Sequence, residues 1–382
     1  MGRDARLVFV AKTARTFCYG FLGVLLPVYL SELGLDARGL GVAVTLTLLA
    51  SAAMTFGIRW PAERWGPRTA LMTQAALIAV SAVVFLLTRQ PWVVVAAAMA
   101  GNLAVGTGET GPFLSLEQVI VTRDTPRERL TTTLSWYNLT GYAAAGLGAA
   151  AVTQLGPSPQ PLFLLFLLSG VAQMVAYGLM RREPPRHAAR HAEGTPSRPF
   201  VRRIAVIFAL DSFAGGFIVQ SLIAYWFYTR FGLGLDTLGW IFFGVQILSG
   251  LSLLLAARAA PRLGLVNTMV FSHLISNVLL IGVALSPVAW LAIAFLLARH
   301  LLSQMDVPTR QTFLMLAVRD HEREHAAAIT NMSRSLAQSV SPALTGFAMQ
   351  GLSLTMPFFL GAGLKIVYDL WLYATIRHMK TS

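Results

Sequence analysis

Apolar stretches of about twenty residues alternate with short polar segments along the whole chain. They fall near 13–31, 39–58, 69–88, 92–118, 131–155 and 161–180, and again near 204–229, 238–257, 266–286, 288–314, 326–352 and 355–376. An α-helix crosses the ~30 Å hydrocarbon layer of a bilayer in roughly 20 residues. Twelve such spans use about 240 residues of the 382 and leave the remainder for loops and tails. The pattern predicts an all-α integral membrane protein of twelve transmembrane helices. The runs 92–118 and 288–314 carry internal charges and are the least regular.

Only 12% of the residues are charged, against about a quarter in soluble domains, which argues against a string of soluble domains. A net charge of +13 in a soluble chain would raise nucleic acid as a partner. Here the charges sit between the apolar runs, where they set topology. With the N-terminus inside, 23 of the 30 Lys and Arg residues fall on cytoplasmic segments, while the outer loops hold only Arg38, Arg89 and Arg230. By the positive-inside rule both termini are expected in the cytoplasm of a cell whose inner membrane holds the chain. The first apolar run lacks a small-residue cleavage site and reads as a retained helix. Cys18 is the single cysteine, so no disulfide framework or cysteine metal site is expected. The lipid bilayer replaces nucleic acid as the partner.

The chain also repeats itself. Leu35, Asp36 and Gly39 correspond to Leu235, Asp236 and Gly239, and Arg64 and Gly66 to Arg262 and Gly264. The segment 123–129 corresponds to 319–325, and Pro112 to Pro308. Matched polar loops are not a by-product of apolar composition, so they predict two pseudo-symmetric six-helix halves, 1–180 and 204–382. The Pro-, Arg- and His-rich segment 181–203 reads as a solvated cytoplasmic linker.

Between the second and third runs stands Arg59-Trp60-Pro61-Ala62-Glu63-Arg64-Trp65-Gly66-Pro67-Arg68. It resembles the loop signature of the major facilitator superfamily, with Glu63 in place of Asp and Arg59 in place of the first Gly. The resemblance covers essentially the whole chain and implies that family's fold, with transport by alternating access. It also implies a cytoplasmic latch formed by Glu63, Arg64, Gly66 and Arg68. Gly141, Gly146 and Gly148, together with Ser341, Pro342 and Gly346, are similar in part to glycine-rich elements of the drug:proton antiporter branch. In the family's helix 4 signature Asn102 replaces the arginine. The stretches 108–118, 210–217 and 305–311 resemble segments of a bacterial efflux-like branch.

Ionisable groups at membrane depth are costly and become functional candidates by default. Glu109 lies in a stretch broken by glycine and proline, where backbone groups can face a cavity. Arg299, Ser303, Asp306 and Arg310 follow helical spacing as one polar stripe, with Asp306 and Arg310 a turn apart. Asp211 and Gln220 belong to the seventh run, which in this family lines the pathway. Arg15 and Arg334 need partners, either an anionic cargo or the acids Glu109 and Asp306; Arg334 corresponds to Asn138 across the repeat. Glu117, Lys365 and Asp369 read as groups near helix ends, placed there by snorkelling or capping.

No phosphate-binding loop, His-Glu-x-x-His zinc motif or nucleophile elbow is present, so neither an enzyme nor a cofactor is expected. Three functions remain: proton-coupled efflux of a small organic compound, uptake of an anionic or polar metabolite, and a non-transporting membrane sensor. The duplicated halves weigh against the last. A single chain supplies both halves, so a monomer is expected.

Overall fold

A computed structural model describes residues 1–103, 111–154, 158–181, 198–318 and 323–376. Among these residues the regular structure is all helical, with fifteen helices in the twelve apolar runs and a sixteenth in the polar segment between the second and third. In order they are α1 (Arg3–Glu32), α2 (Ala37–Gly57), α3 (Arg59–Trp65), α4 (Pro67–Leu87), α5 (Pro91–Ala100), α6 (Pro112–Arg123), α7 (Arg127–Gln154) and α8 (Gln160–Gly178). Then follow α9 (Arg198–Gly216), α10 (Gln220–Phe231), α11 (Leu235–Leu263), α12 (Leu265–Leu285), α13 (Ala289–Ser303), α14 (Asp306–Ala317), α15 (Arg323–Gly351) and α16 (Met356–Ile376). Among the described residues eight spans are long and apolar enough to cross a membrane on their own. Helices α7 and α15 carry more polar residues.

The run 204–229 is not one helix, as the apolar pattern suggests, but α9 and α10 with a break over Phe217–Val219. Run 288–314 likewise divides into α13 and α14 around Gln304 and Met305, and run 92–118 into α5 and α6. The break after α9 is tightened by short-range bonds from Phe217 N to Ala214 O (3.3 Å) and from Ile218 N to Gly215 O (3.2 Å). Of the predicted linker, residues 182–197 lie outside the described ones, and Arg198–Arg203 already form the start of α9.

The chain forms two compact units. The first comprises Met1–Asp36, Leu46–Arg190 and Leu233–Phe243. In it α1 packs on α7 and α8, and α4 on α5 and α8. The α1–α7 crossing is a backbone contact: a Cβ on Gly20 would collide with the Ala145 carbonyl, and one on Gly148 with that of Phe17. Small residues permit such approach where lipid gives no hydrophobic drive to hold helices together. Phe85, Phe163, Phe166 and Tyr29 form an aromatic core, with ring centroids 5.1–6.0 Å apart.

The second unit comprises Ala37–Thr45, His191–Gly232 and Gly244–Ser382. Here α9 packs on α15 and α16, and α12 on α13, α14 and α16. Ile204, Ile207, Phe208, Phe313, Tyr368 and Leu372 form its core. Gly41 meets the backbone of Pro342 and Gly346, and the Thr45 hydroxyl accepts from Ala343 N at 2.9 Å.

The repeat reappears as a torsion angle. Gly66 opens α4 with φ 84° and ψ 158°, and Gly264 opens α12 with φ 83° and ψ 153°. A side chain is strongly disfavoured in that region, which accounts for glycine at both corresponding positions.

Candidate functional sites in the two units

In the second unit Asp211, on the C-terminal half of α9, is the hub of a buried charge network. Its Oδ1 accepts from Lys365 Nζ on α16 at 2.7 Å, and its Oδ2 accepts from Arg310 Nη1 on α14 at 3.2 Å. Arg310 also reaches Asp306 Oδ2, one turn back, at 2.5 Å. On the other side His273 of α12 places Nε2 3.3 Å from Lys365 Nζ and 3.7 Å from Asp211 Oδ1. Its Nδ1 lies 2.8 Å from Asp369 Oδ1, and Asn277 Nδ2 donates to Asp369 Oδ2 at 2.9 Å. All of these side chains are buried. Desolvation of a buried charge is offset only by good pairing and saturating hydrogen bonds. The network meets that demand by sharing carboxylates among several donors.

Arg334 donates from Nε to the hydroxyl of Ser212, the neighbour of Asp211, at 2.9 Å. Arg299 does not extend the stripe through Asp306 and Arg310, because the helix breaks between Ser303 and Asp306. Its Nη1 instead faces His300 Nε2 at 3.4 Å, and its Nε has no hydrogen-bond partner among the described residues. Gln220, the first residue of α10, accepts from Gln246 Nε2 at 3.0 Å.

The first unit holds a second cluster of a different kind. Arg15 donates to Glu117 through Nη1 (3.1 Å) and Nη2 (2.8 Å). The Tyr137 and Tyr177 hydroxyls donate to the same carboxylate at 2.6 and 2.5 Å. Arg15 also donates to Gln173 and Tyr177. One carboxylate thereby ties α1, α6, α7 and α8 together. Arg15 is thus paired with Glu117. Glu109 lies outside the described residues. Asn102, just before them, is buried with a left-handed φ of 49°, and Asn138 is exposed on α7.

Three readings are corrected here. Glu117, Lys365 and Asp369 are neither snorkelling nor capping but buried, at 0%, 7% and 0% exposure. His273, Asn277, Tyr137, Gln173 and Tyr177 were not singled out by the sequence at all. Their signal was present: Lys365 and Asp369, and likewise His273 and Asn277, are polar pairs at i,i+4 within apolar runs.

At the start of α4, Arg68 donates to the carbonyl of Gly178. Glu63 and Arg64 are exposed, with the Arg64 guanidinium 5.3 Å from the Trp60 ring.

The sequence matches the family model described as Major Facilitator Superfamily over residues 8–342. An uncharacterised membrane protein of Saccharomyces cerevisiae is 22% identical, across 96% of this chain and 93% of its own length. The crystal structure of a D-xylose–proton symporter superimposes with a TM-score of 0.78 at 13% identity, covering 99% of this chain and 98% of that one. That of a nucleoside transporter gives 0.74 at 13% identity over 99% and 100%. A human organic anion transporter gives 0.66 at 14% identity over 97% and 99%.

Proposed function

The chain belongs to the major facilitator superfamily and is a multi-pass membrane transporter, and on that premise we propose that it couples outward movement of a small organic compound to protons. Residues 1–180 and 204–382 are the two bodies that alternate access, joined by 181–203. Both termini are cytoplasmic, the membrane is the inner one, and the monomer is the working unit. Glu63, Arg64, Gly66 and Arg68 latch the cytoplasmic side.

The observation that carries the coupling is the sharing of Asp211. Lys365 and Arg310 both donate to its carboxylate, so a proton there would loosen two cations on two other helices at once. Asp306 shares Arg310 and takes up the slack on one side only. A buried carboxylate whose partners lie on separate helices is a two-state element that a proton can bias. The D-xylose–proton symporter supports proton coupling by analogy of fold. The glycine-rich stretches of α7 and α15 support export, since in the drug:proton antiporter branch such stretches accompany it.

A second reading is uptake of an anionic metabolite, which Arg299 favours because its buried Nε awaits an acceptor. Glu109, Arg15, Arg334, Asn138 and Gln220 complete the residues to be tested along the pathway. The test uses purified protein in liposomes loaded with a pH-sensitive dye, under an imposed proton gradient. Drugs, sugars, amino acids and organic anions are added one at a time. Proton movement opposite to cargo is expected; movement with the cargo would replace export by symport.

A further inference from the structure

The network around Asp211 includes a group that the coupling scheme above does not use. His273 lies on α12, is 4% exposed, and is held from behind. Its Nδ1 is 2.8 Å from Asp369 Oδ1, and that carboxylate is fixed in turn by Asn277. A neutral ring in this setting carries its proton on Nδ1, donating to Asp369. Nε2 is then a lone-pair acceptor, and it faces the Lys365 ammonium at 3.3 Å. Lys365 therefore donates both to Asp211 Oδ1 and to the imidazole.

We propose that His273 is a second proton-loading site in the Asp211 network, and that loading it transfers Asp211 from Lys365 to the imidazolium. A proton added from water to Nε2 turns an acceptor into a donor. The ring then repels the ammonium it had been accepting from. Asp211 Oδ1 is 3.7 Å from Nε2, a short closure from hydrogen-bond length, and it is the same oxygen that Lys365 uses. The exchange leaves Lys365 charged and without two acceptors, next to Gly215 at the end of α9. No bond other than N–H is made or broken, and the proton is returned to water when Lys365 comes back.

Around His273 several helices contribute groups, and on its own helix Asn277 Nδ2 lies 3.4 Å from Nδ1. From α16 come Asp369, Lys365 and the ring edge of Tyr368, 5.8 Å between centroids. From α9 comes Asp211. On α13 and α14, which also pack on α12 or follow it, the charged groups are Arg299, His300, Asp306 and Arg310. Of these, Arg310 acts on the same Asp211 through its other oxygen. Thr268, Ser272 and Ser276 stand one turn apart on the buried face of α12, in the same stretch as His273. The hydroxyls of Thr268 and Ser276 and Oδ1 of Asn277 have no hydrogen-bond partner among the described residues, a setting that suits transient water. This inference rests on the reading that the Asp211 network couples protons to transport.

The chain has only three lysines, Lys12, Lys365 and Lys380, and seven histidines, so side-chain nitrogen resonances can be assigned by single substitutions. Purified full-length protein labelled with 15N-lysine and 15N-histidine is titrated by NMR in lipid nanodiscs. In the wild type, His273 protonation and the change at Lys365 Nζ are expected to share one midpoint, with Lys12 unmoved. In His273→Gln, Lys365 is expected to lose its pH response. In Asp369→Asn, both transitions are expected to move by the same amount. A Lys365 response that persists in His273→Gln, or a His273 ring that stays neutral while Lys365 responds, would overturn the proposal. The wild-type titration alone decides the matter if a variant does not fold. Proton-coupled flux in liposomes is followed in parallel: its absence despite a shared midpoint would sink the transport reading and leave the switch standing.

Discussion

Arg15 and Glu117 form a pair in which each member is worthless without the other. Glu117 accepts from four donor atoms on three residues and is fully buried. Removing one charge of a buried pair leaves the other uncompensated and costs about 3–5 kcal/mol. Glu117→Gln is therefore expected to lower the thermal midpoint of the purified protein strongly, with Arg15→Gln doing the same and the double variant recovering part of the loss. Asp211→Asn should behave differently. Arg310 keeps Asp306 and Lys365 keeps the His273 ring as partners, so the loss of stability should be smaller while proton-coupled flux falls to background; retained coupling would exclude Asp211 as the coupling carboxylate. The sequence showed which ionisable residues lie in apolar runs but not how deep they sit. Glu117 stands near the end of its run at 92–118, yet α6 continues to Arg123, which places the carboxylate inside the helix. Pairing across more than a hundred residues, as from Arg15 to Glu117, leaves no local trace.

Helices meet here by removing side chains at their crossings. Gly20 and Gly148 each lie against the carbonyl of the opposite helix, so a larger residue at either position must push α1 and α7 apart. Overpacking typically costs about 1–3 kcal/mol, and more where the obstacle is backbone. Gly148→Val should reduce stability more than Gly57→Ala, since nothing lies within 4 Å of a Cβ built on Gly57; equal melting of the two variants would remove the crossing from the account. Gly66→Ala should be costly for another reason, about 1–3 kcal/mol from its positive φ at 84°. At this scale apolar periodicity was a good guide to helix existence and a poor one to continuity. An apolar run says that surroundings are dry, while the breaks after Gly216 and Ser303 depend on the tertiary groups that accept the freed backbone.

For the whole molecule, charge placement makes the strongest claim. Replacing Cys18, which is buried and close to the Leu165 carbonyl, gives a background free of cysteine. In a Cys18→Ser chain, Glu63→Cys should react with a membrane-impermeant maleimide only from the cytoplasmic side, and Arg89→Cys only from the outer side. The opposite pattern would invert the topology. The fold class was legible because it rests on a pattern of apolar runs repeated along the chain. The assembly of Asp211, His273, Lys365 and Asp369 was not, because it draws four residues from three helices far apart in sequence.

The breaks over Phe217–Val219 and at Gln304–Met305 have a mechanical consequence. A continuous helix resists bending because each backbone hydrogen bond on the outer side must lengthen. At these two places that ladder is already interrupted, and the Thr345 hydroxyl holds the Phe217 carbonyl at 3.3 Å from a neighbouring helix. Bending stiffness is therefore low at these two joints. Lateral pressure from the surrounding lipid concentrates its strain at those joints, each of which sits within a few residues of Asp211 or Asp306. The spring and the charged centre are built into the same few turns of chain.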